Sequence, residues 1–278
     1  MMKGMIFILI TFLILLSPLK SEEDIDRLAT RVYNAYLNNK PLPVFSTMRP
    51  ELTALTAYEV QASYVKKRLS RDEITGFKAG LTNEKSQNRF RVTMPVSGVL
   101  FASGIRDANN RIDRQRSNQL MIETEIGFVV GKRINKPVSN ISKLKKRIRS
   151  VVAAIELPDL EFEDMSELKG VDIISGNVSA YAYILGEAQK RKRINLSKVS
   201  LILSREGEII NSGSGSDLLG DPWEAALWLV NNTVSQGWSI QPGHILLAGA
   251  IGKMLPAKPG NYVADFDELG RISFIINE

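Results

Sequence analysis

The feature that most constrains this chain is the triplet Glu123-Thr124-Glu125, set inside the apolar stretch Met121-Ile122 to Ile126-Gly127-Phe128-Val129-Val130. On a β-strand side chains alternate between faces, so both carboxylates leave the same side of an element otherwise suited to burial. Two anions about 4 Å apart repel by roughly 4 kcal/mol at an effective dielectric of about 20. A fold that buries this strand must therefore supply positive charge between the two acids, and a divalent cation is the leading candidate.

The residues the chain lacks narrow the choice of ion. It has no cysteine and a single histidine, His244. That argues against zinc, copper or haem sites built from thiolate and imidazole, and leaves carboxylate oxygen and water, the preference of Mg2+ or Mn2+. No thiol nucleophile is available and no disulfide can form. His244, in Gln241-Pro242-Gly243-His244-Ile245-Leu246-Leu247, reads as a histidine at a turn feeding an apolar strand.

Lys3 precedes an apolar run from Met5 to Leu16 broken only by Thr11, followed by Ser17-Pro18-Leu19-Lys20-Ser21 and the acidic Glu22-Glu23-Asp24. Such a run is short for a membrane span and matches the core of a secretory signal. Residues 1–21 are thus predicted to be a signal peptide and the protein to be exported to the periplasm. A cut after Ser21 places Leu19 where a small residue is preferred, which keeps an uncleaved N-terminal anchor, and with it contact to a membrane, as one alternative. A cytoplasmic protein with an apolar N-terminus is the other.

The net charge of +6 owes much to Lys143-Leu144-Lys145-Lys146-Arg147-Ile148-Arg149 and Lys190-Arg191-Lys192-Arg193. In the first run Leu144, Ile148, Val151 and Val152 recur at helical spacing, predicting a solvated helix face. The second reads as an exposed loop. Neither interleaves aromatic residues, so nucleic acid is not expected as a partner.

Residues 22–72 are predicted to form a small helical cap, with one helix over 23–37 and a second opened by a capping box at Thr56-Ala57-Tyr58-Glu59. From residue 73 to 278 the texture changes to short apolar runs broken by glycine. Strands are expected near 74–78, 120–130, 180–185, 199–205, 208–212, 244–248, 262–266 and 271–276. One helix interrupts them, with Asp221 as N-cap, Pro222 at its first position and Gly237 as its stop. Segregated helices and strands argue α+β.

Three further segments could carry chemistry. Glu156 closes the apolar run Val151 to Leu157, where it is either a third metal ligand or an exposed strand-end acid ahead of the acidic loop Asp159 to Asp164. Lys78 lies between glycines in Gly76-Phe77-Lys78-Ala79-Gly80-Leu81-Thr82. It could hold a substrate carboxylate or move a proton, or be a surface lysine. The small-residue loop Ser212-Gly213-Ser214-Gly215-Ser216 leads into the Asp221-capped helix, as a ligand contact or as a plain turn.

Taken in order, these segments resemble the fumarylacetoacetate hydrolase superfamily, in its 2-oxopent-4-enoate hydratase and oxalocrotonate decarboxylase branch, from about Ile74 to the C-terminus. Gly76 to Thr82 looks like the branch's Gly-x-Lys-x-Gly-Leu-Thr. Gly98-Val99-Leu100-Phe101 looks like its following strand, and Glu123-Thr124-Glu125 like its metal-binding pair. Ile155-Glu156 is similar to the segment carrying the third carboxylate. Asp172, Asn177 and Ser179 fall in a match to the next signature, Gly213-Ser214-Gly215 through Leu219-Gly220-Asp221-Pro222 in the loop and helix, and Pro242 to Ala250 in the closing strand. Ser103 and Gly176 stand where the family usually carries aspartates.

The resemblance implies a mixed β-sheet roll or barrel with a small N-terminal helical cap. It implies Mg2+ or Mn2+ on Glu123, Glu125 and Glu156, catalytic roles for Lys78 and Ser179, and substrate contacts from Asn177, Ser214 and Asp172. The implied activity is hydration of a small 2-hydroxydienoate or 2-oxo acid by a homo-oligomeric carbon-oxygen lyase. Decarboxylation in the same branch is one alternative. An exported homologue that binds without catalysis is the other, since the pathway this branch serves is normally cytoplasmic. Superfamily members that hydrolyse carbon-carbon bonds use a histidine to activate water, a role not expected of His244.

Overall fold

The computed structural model describes residues 22–107, 111–190 and 194–278. The expected signal segment lies outside the described residues, and so do Arg191, Lys192 and Arg193 of the second basic run. No helix among the described residues is long and apolar enough to cross a membrane.

Helices α1 (Glu22–Leu37) and α2 (Ala54–Arg68) open the fold. Glu22, Glu23 and Asp24 sit in the first turn of α1, where carboxylates complement the helix dipole, and Leu28, Ala29 and Val32 turn inward. The cap of α2 is Thr53 rather than Thr56: the Thr53 hydroxyl accepts from the Thr56 N–H at 3.2 Å. The helix-favouring pair Ala54-Leu55 lets the helix start a turn earlier than the Thr56 capping box suggests.

The following elements are β1 (Ile74–Gly80), α3 (Glu84–Arg89), β2 (Val96–Phe101), β3 (Ile105–Arg106), β4 (Arg111–Asp113), β5 (Met121–Val130), α4 (Ile141–Lys145) and β6 (Ile148–Leu157). Then come α5 (Gly170–Ser175), β7 (Ala182–Leu185), β8 (Ser200–Arg205), β9 (Glu208–Ser214), α6 (Pro222–Ser235), β10 (Ile245–Ala250), β11 (Leu255–Pro256), β12 (Gly260–Asp265) and β13 (Arg271–Asn277). Asp221 caps α6 by accepting the Trp223 N–H at 2.9 Å, with Pro222 in the first turn, as its sequence predicts.

Eight strands form a mixed sheet ordered β2-β1-β10-β5-β6-β7-β3, with β11 added against β5, and this sheet curls into a half-barrel. A second sheet of five strands runs β4-β13-β12-β8-β9. Among the described residues, the large sheet pairs in parallel only at β1–β10 and β3–β7. The architecture is α+β, with helices segregated around the two sheets.

Alternation sorts the large sheet into two faces. Phe77, Ile126, Phe128, Ile155, Ile184 and Leu246 point into the main core, which also takes Trp223 and Leu229 of α6, Phe274 of the second sheet and Leu28, Val32 and Tyr64 of the first two helices. The opposite face carries Lys78, Glu123, Glu125 and Glu156 beside a smaller apolar cluster that includes Leu100, Val152, Tyr183 and Leu247.

The first basic run is not one helix. The helix α4 stops at Lys145, and Ile148, Val151 and Val152 belong to β6, which pairs with β5 from Val130↔Ile148 to Glu123↔Glu156. The β-branched run Val151-Val152 and a long antiparallel partner outweigh a chance helical spacing of apolar residues.

Candidate metal centre

Glu123 and Glu125 project from β5, and Glu156 sits directly across the ladder from Glu123 on β6. One oxygen from each carboxylate lies within 4.8 Å of the others. Glu125 and Glu156 are fully buried, which excludes an exposed strand-end role for Glu156, while Glu123 is partly open to a cavity.

Lys78 is a central-strand residue, not a surface lysine. Its strand β1 pairs with β10 on one side and β2 on the other, and its side chain is buried. The Nζ atom lies 2.6 Å from Glu156 Oε1 and 3.9 Å from Glu123 Oε2. Between β1 and β6 stand β10 and β5, a separation of about 14 Å along a flat sheet at about 4.8 Å per strand. The ion pair closes because the sheet curls and lets the side chains meet across its concave face.

The electrostatics of this cluster are unfavourable as they stand. Burial pushes the Glu123 carboxyl up to about 7, with Glu156 adding to the rise and Lys78 opposing it. Burial, reinforced by Glu156 and Glu123, holds Glu125 well above the ordinary carboxylate range despite Lys78 and a backbone hydrogen bond from Gly249. For Lys78 burial alone would favour the neutral amine, but Glu156, Glu123 and Glu125 outweigh it and raise its pKa. One lysine cannot compensate three buried acids.

Unsatisfied oxygens show the same deficit. Glu125 Oε2 accepts from the Gly249 N–H at 2.9 Å, but Glu125 Oε1 and Glu156 Oε2 are buried without a hydrogen-bond partner. Buried, unpartnered carboxylate oxygens converging from two strands fit a hard divalent cation of the Mg2+ or Mn2+ kind. Gly249 reaches Glu125 because the β10–β5 ladder shifts register between Leu247 and Ala250, with Gly249 at φ +118°.

The chain after α5 completes the floor. Asn177, Val178 and Ser179 all adopt left-handed backbone, at φ +55°, +53° and +54°. For non-glycine residues this costs about 1–2 kcal/mol each. The turn directs the Val178 carbonyl to accept from Lys78 Nζ at 3.2 Å, and it leaves Ser179 Oγ buried and unpartnered in the cavity wall. Asn177 pins the turn to β2: its Oδ1 accepts the Val99 N–H at 2.7 Å and its Nδ2 donates to the Val99 carbonyl at 2.9 Å. Gly98 is required at this approach, since a Cβ there would stand 2.6 Å from the Asn177 carbonyl oxygen.

Lys78, Glu123 and Ser179 line one cavity of about 340 Å³. Its walls include Phe90, Leu160, Met165, Ile173 and Met254. Asp172 is buried outside that lining, accepting the N–H groups of Phe45, Ser46 and Lys169 at 2.7, 2.8 and 3.0 Å. Asn177 also lies outside the lining. So does Ser214 at the end of β9, whose hydroxyl donates to the Ser197 carbonyl at 3.2 Å.

His244 stands at the opposite end of β10 from Glu125. Its Nδ1 accepts the Gln241 N–H at 3.3 Å, and burial lowers its pKa. Ser103 donates to Asp72 Oδ2 at 2.6 Å and accepts from Arg68 at 2.9 Å, while the Arg68 guanidinium lies between the rings of Tyr36 and Phe101. Gly176 ends α5 against Leu42 and Phe162. Neither Ser103 nor Gly176 lines the cavity. Sequence reasoning missed the Gly249 N–H and the Val178 carbonyl, because backbone groups leave no residue-type signal.

Comparison with known proteins gives a consistent picture. Residues 68–275 match the model of the family described as Fumarylacetoacetate (FAA) hydrolase C-terminal. The chain is 30% identical over 235 residues to 2-keto-4-pentenoate hydratase of Paraburkholderia xenovorans (strain LB400), covering 84% of this chain and 87% of that one. It is 24% identical over 238 residues to 4-oxalocrotonate decarboxylase of Pseudomonas sp. (strain CF600), covering 85% and 90%. The fold is similar to that of 4-oxalocrotonate decarboxylase from Pseudomonas putida G7 complexed with magnesium and adipate, with a TM-score of 0.87, 24% identity, and 93% and 99% of the two chains covered.

Proposed function

The chain belongs to the fumarylacetoacetate (FAA) hydrolase C-terminal family, and from that premise we propose that it is a Mg2+- or Mn2+-dependent lyase of the hydratase and decarboxylase branch, acting on a small 2-hydroxydienoate or 2-oxo acid. The observation that carries this reading is the convergence of Glu123, Glu125 and Glu156 beside buried Lys78, with Lys78 and Glu123 lining the cavity.

Glu123, Glu125 and Glu156 would hold the cation. When bound, such an ion supplies Lewis acidity to the carboxylate and C2 oxygen of the acid. Lys78, charged and held by Glu156 and the Val178 carbonyl, is placed to fix the substrate's anionic head and to pass a proton. Ser179 lines the cavity and its Oγ is buried without a protein partner, which makes it the candidate to bond a substrate oxygen or the water that reacts. The apolar wall limits access of further water. For 2-hydroxypenta-2,4-dienoate the balance is protonation of C5 as the enol becomes a ketone, then addition of water across the resulting double bond, oxygen to C4 and hydrogen to C3. The product is 4-hydroxy-2-oxopentanoate.

Decarboxylation is the second reading, favoured by the relative named 4-oxalocrotonate decarboxylase, which aligns over most of this chain. Both reactions need negative charge stabilised at the same C2 oxygen. No observation favours a binding protein without catalysis. Export and homo-oligomer formation are separate proposals resting on the N-terminal pattern and the family resemblance. N-terminal sequencing of the native protein and light scattering test them.

The test of function is metal-dependent consumption of 2-hydroxypenta-2,4-dienoate, followed by loss of diene absorbance and by product identification. Activity is expected with Mg2+ or Mn2+, and a near-complete loss in Glu123→Ala. An unaltered rate in that variant would overturn the reading, and carbon dioxide release from an unsaturated oxo diacid would favour decarboxylation.

A further inference from the structure

Between Glu125 and Glu156 the chain carries no acid, and residues 132–149 hold eight of its 36 lysines and arginines. Without those eight, 28 basic residues face 30 acidic ones, so this stretch supplies the whole positive excess. The fold gathers it in one place. The stretch connects β5 to β6, and its ends meet where the Arg147 carbonyl accepts the Gly131 and Lys132 N–H groups at 2.7 and 3.1 Å. Arg147 Nη1 donates to the Arg133 carbonyl at 3.2 Å, and Arg149 packs beside Gly131, where an added Cβ would stand 3.0 Å from the Arg149 Cβ.

Burial sorts the side chains of this connection. Ile134, Val138 and Leu144 turn inward, while Lys132, Arg133, Lys136, Lys143, Lys146 and Arg147 are exposed. The backbone beneath them is held: Ile134 and Ile240 exchange hydrogen bonds at 2.9 Å, and Asn231 clasps Val138, with Oδ1 accepting its N–H at 2.7 Å and Nδ2 donating to its carbonyl at 3.0 Å. Among the described residues none of the six exposed cations forms an ion pair. Lys143 and Lys146 stand one turn apart on α4 and its C-cap, where like charges repel unless an anion joins them. The second basic run starts at the same place. Val151 and Gln189 exchange backbone hydrogen bonds at 3.0 and 2.8 Å, which sets exposed Lys190 beside the Arg149 end of β6. Glu268, which lines a shallow hollow with Lys190, marks the limit of the patch on that side.

We infer that this patch is a docking surface for an anionic lipid bilayer, whose headgroup phosphates supply the counter-charge the protein withholds. A bilayer suits the patch better than a nucleic acid. Residues 131–150 contain no aromatic side chain to stack on a base. The apolar run Met5 to Leu16, where retained, supplies one half of a two-signal attachment that a basic patch completes. Each basic residue close to an anionic leaflet strengthens binding by about fivefold, an effect that salt screens. The patch lies at the opposite end of the β5–β6 ladder from Glu123 and Glu156, about 23 Å away along the strand, so docking leaves the metal cluster uncovered.

The test is co-sedimentation of the full chain with phosphatidylcholine vesicles, with and without phosphatidylglycerol, in low salt. Binding to the anionic vesicles is expected to be tenfold or more tighter than to the neutral ones, and to weaken as NaCl is raised. A K132A/K136A/K143A/K146A variant should lose on the order of a hundredfold in affinity for the anionic vesicles. A K40A/K66A/K198A/K258A variant, with the same change in net charge but its substitutions scattered over other exposed lysines, should bind nearly as the parent does. All four substituted lysines of the patch are exposed, and an unchanged Tm is expected to show that the variant folds. Equal binding of the parent to both vesicle types, parent-like binding by the patch variant, or an equal loss in the scattered variant would overturn the inference. Tighter binding to duplex DNA than to anionic vesicles would overturn the lipid assignment as well.

Discussion

Lys78 Nζ lies 2.6 Å from Glu156 Oε1, and both side chains are withdrawn from solvent. The pair links β1 to β6 across the concave face of the half-barrel. It also leaves the cluster short of positive charge, because Glu123 and Glu125 share the same small volume. Removing one partner of a buried pair strands the other, at a cost of about 3–5 kcal/mol. Lys78→Met is therefore expected to destabilise the metal-free protein by that order in urea unfolding, with part of the loss recovered on adding Mg2+. Equal stability of variant and parent in chelator would contradict this.

Metal itself should stabilise the parent. A ligand that binds only the native state at about 100 times its Kd adds about 2.7 kcal/mol. Saturating Mg2+ or Mn2+ is expected to raise Tm by several degrees, and EDTA to reverse the shift. The shift should be largely absent in Glu125→Gln, whose parent carboxylate is fully buried with one oxygen unpartnered.

The left-handed turn after α5 offers a test away from the ligands. A methyl group at Gly98 would meet the Asn177 carbonyl oxygen at 2.6 Å. Gly98→Ala must push the turn away from β2, at roughly 1–3 kcal/mol of stability. The Val178 carbonyl and Ser179 move with it, so kcat/KM is expected to fall by about tenfold or more. A variant with lowered Tm and unchanged kcat/KM would show that the turn does not position Lys78.

His244 supplies a pH dependence. Burial lowers its pKa, and its Nδ1 accepts the Gln241 N–H, which requires an unprotonated nitrogen. Above a pH of about 6.5 the imidazole is neutral in both the folded and the unfolded chain and contributes no slope. As pH falls through that value the unfolded chain takes the proton first, so stability drops until the folded imidazole is protonated as well. Thermal melts from pH 7.5 to 5.5 are expected to lose less Tm in His244→Phe than in the parent. Equal losses would contradict the assignment.

Much of the site was legible because strand alternation is rigid: two glutamates separated by one residue in an apolar run must share a face. Asp221-Pro222 announced α6 for a similar local reason. The fate of Glu156 was not legible, since a carboxylate ending an apolar run reads the same whether it is buried or solvated, and only the β5–β6 register decides. Leu144, Ile148 and Val152 repeat at helical spacing, yet pairing with β5 drew all but the first into a strand or its edge. Asp172 and Asn177 are chemically capable of binding ligand, but the fold spends their side chains on the backbone of Phe45, Ser46 and Val99. The left-handed turn and the Gly249 register shift are backbone devices, stabilised by neighbours distant in sequence.

We propose that Glu123, Glu125 and Glu156 together hold one divalent cation. The most direct test is titration of the chelator-stripped protein with Mn2+, counting bound ion by electron paramagnetic resonance, with Glu123→Gln, Glu125→Gln and Glu156→Gln alongside. One ion per chain is expected in the parent, with a loss of affinity of tenfold or more in each variant. Parent-like binding in all three variants, or no binding in the parent, would contradict it.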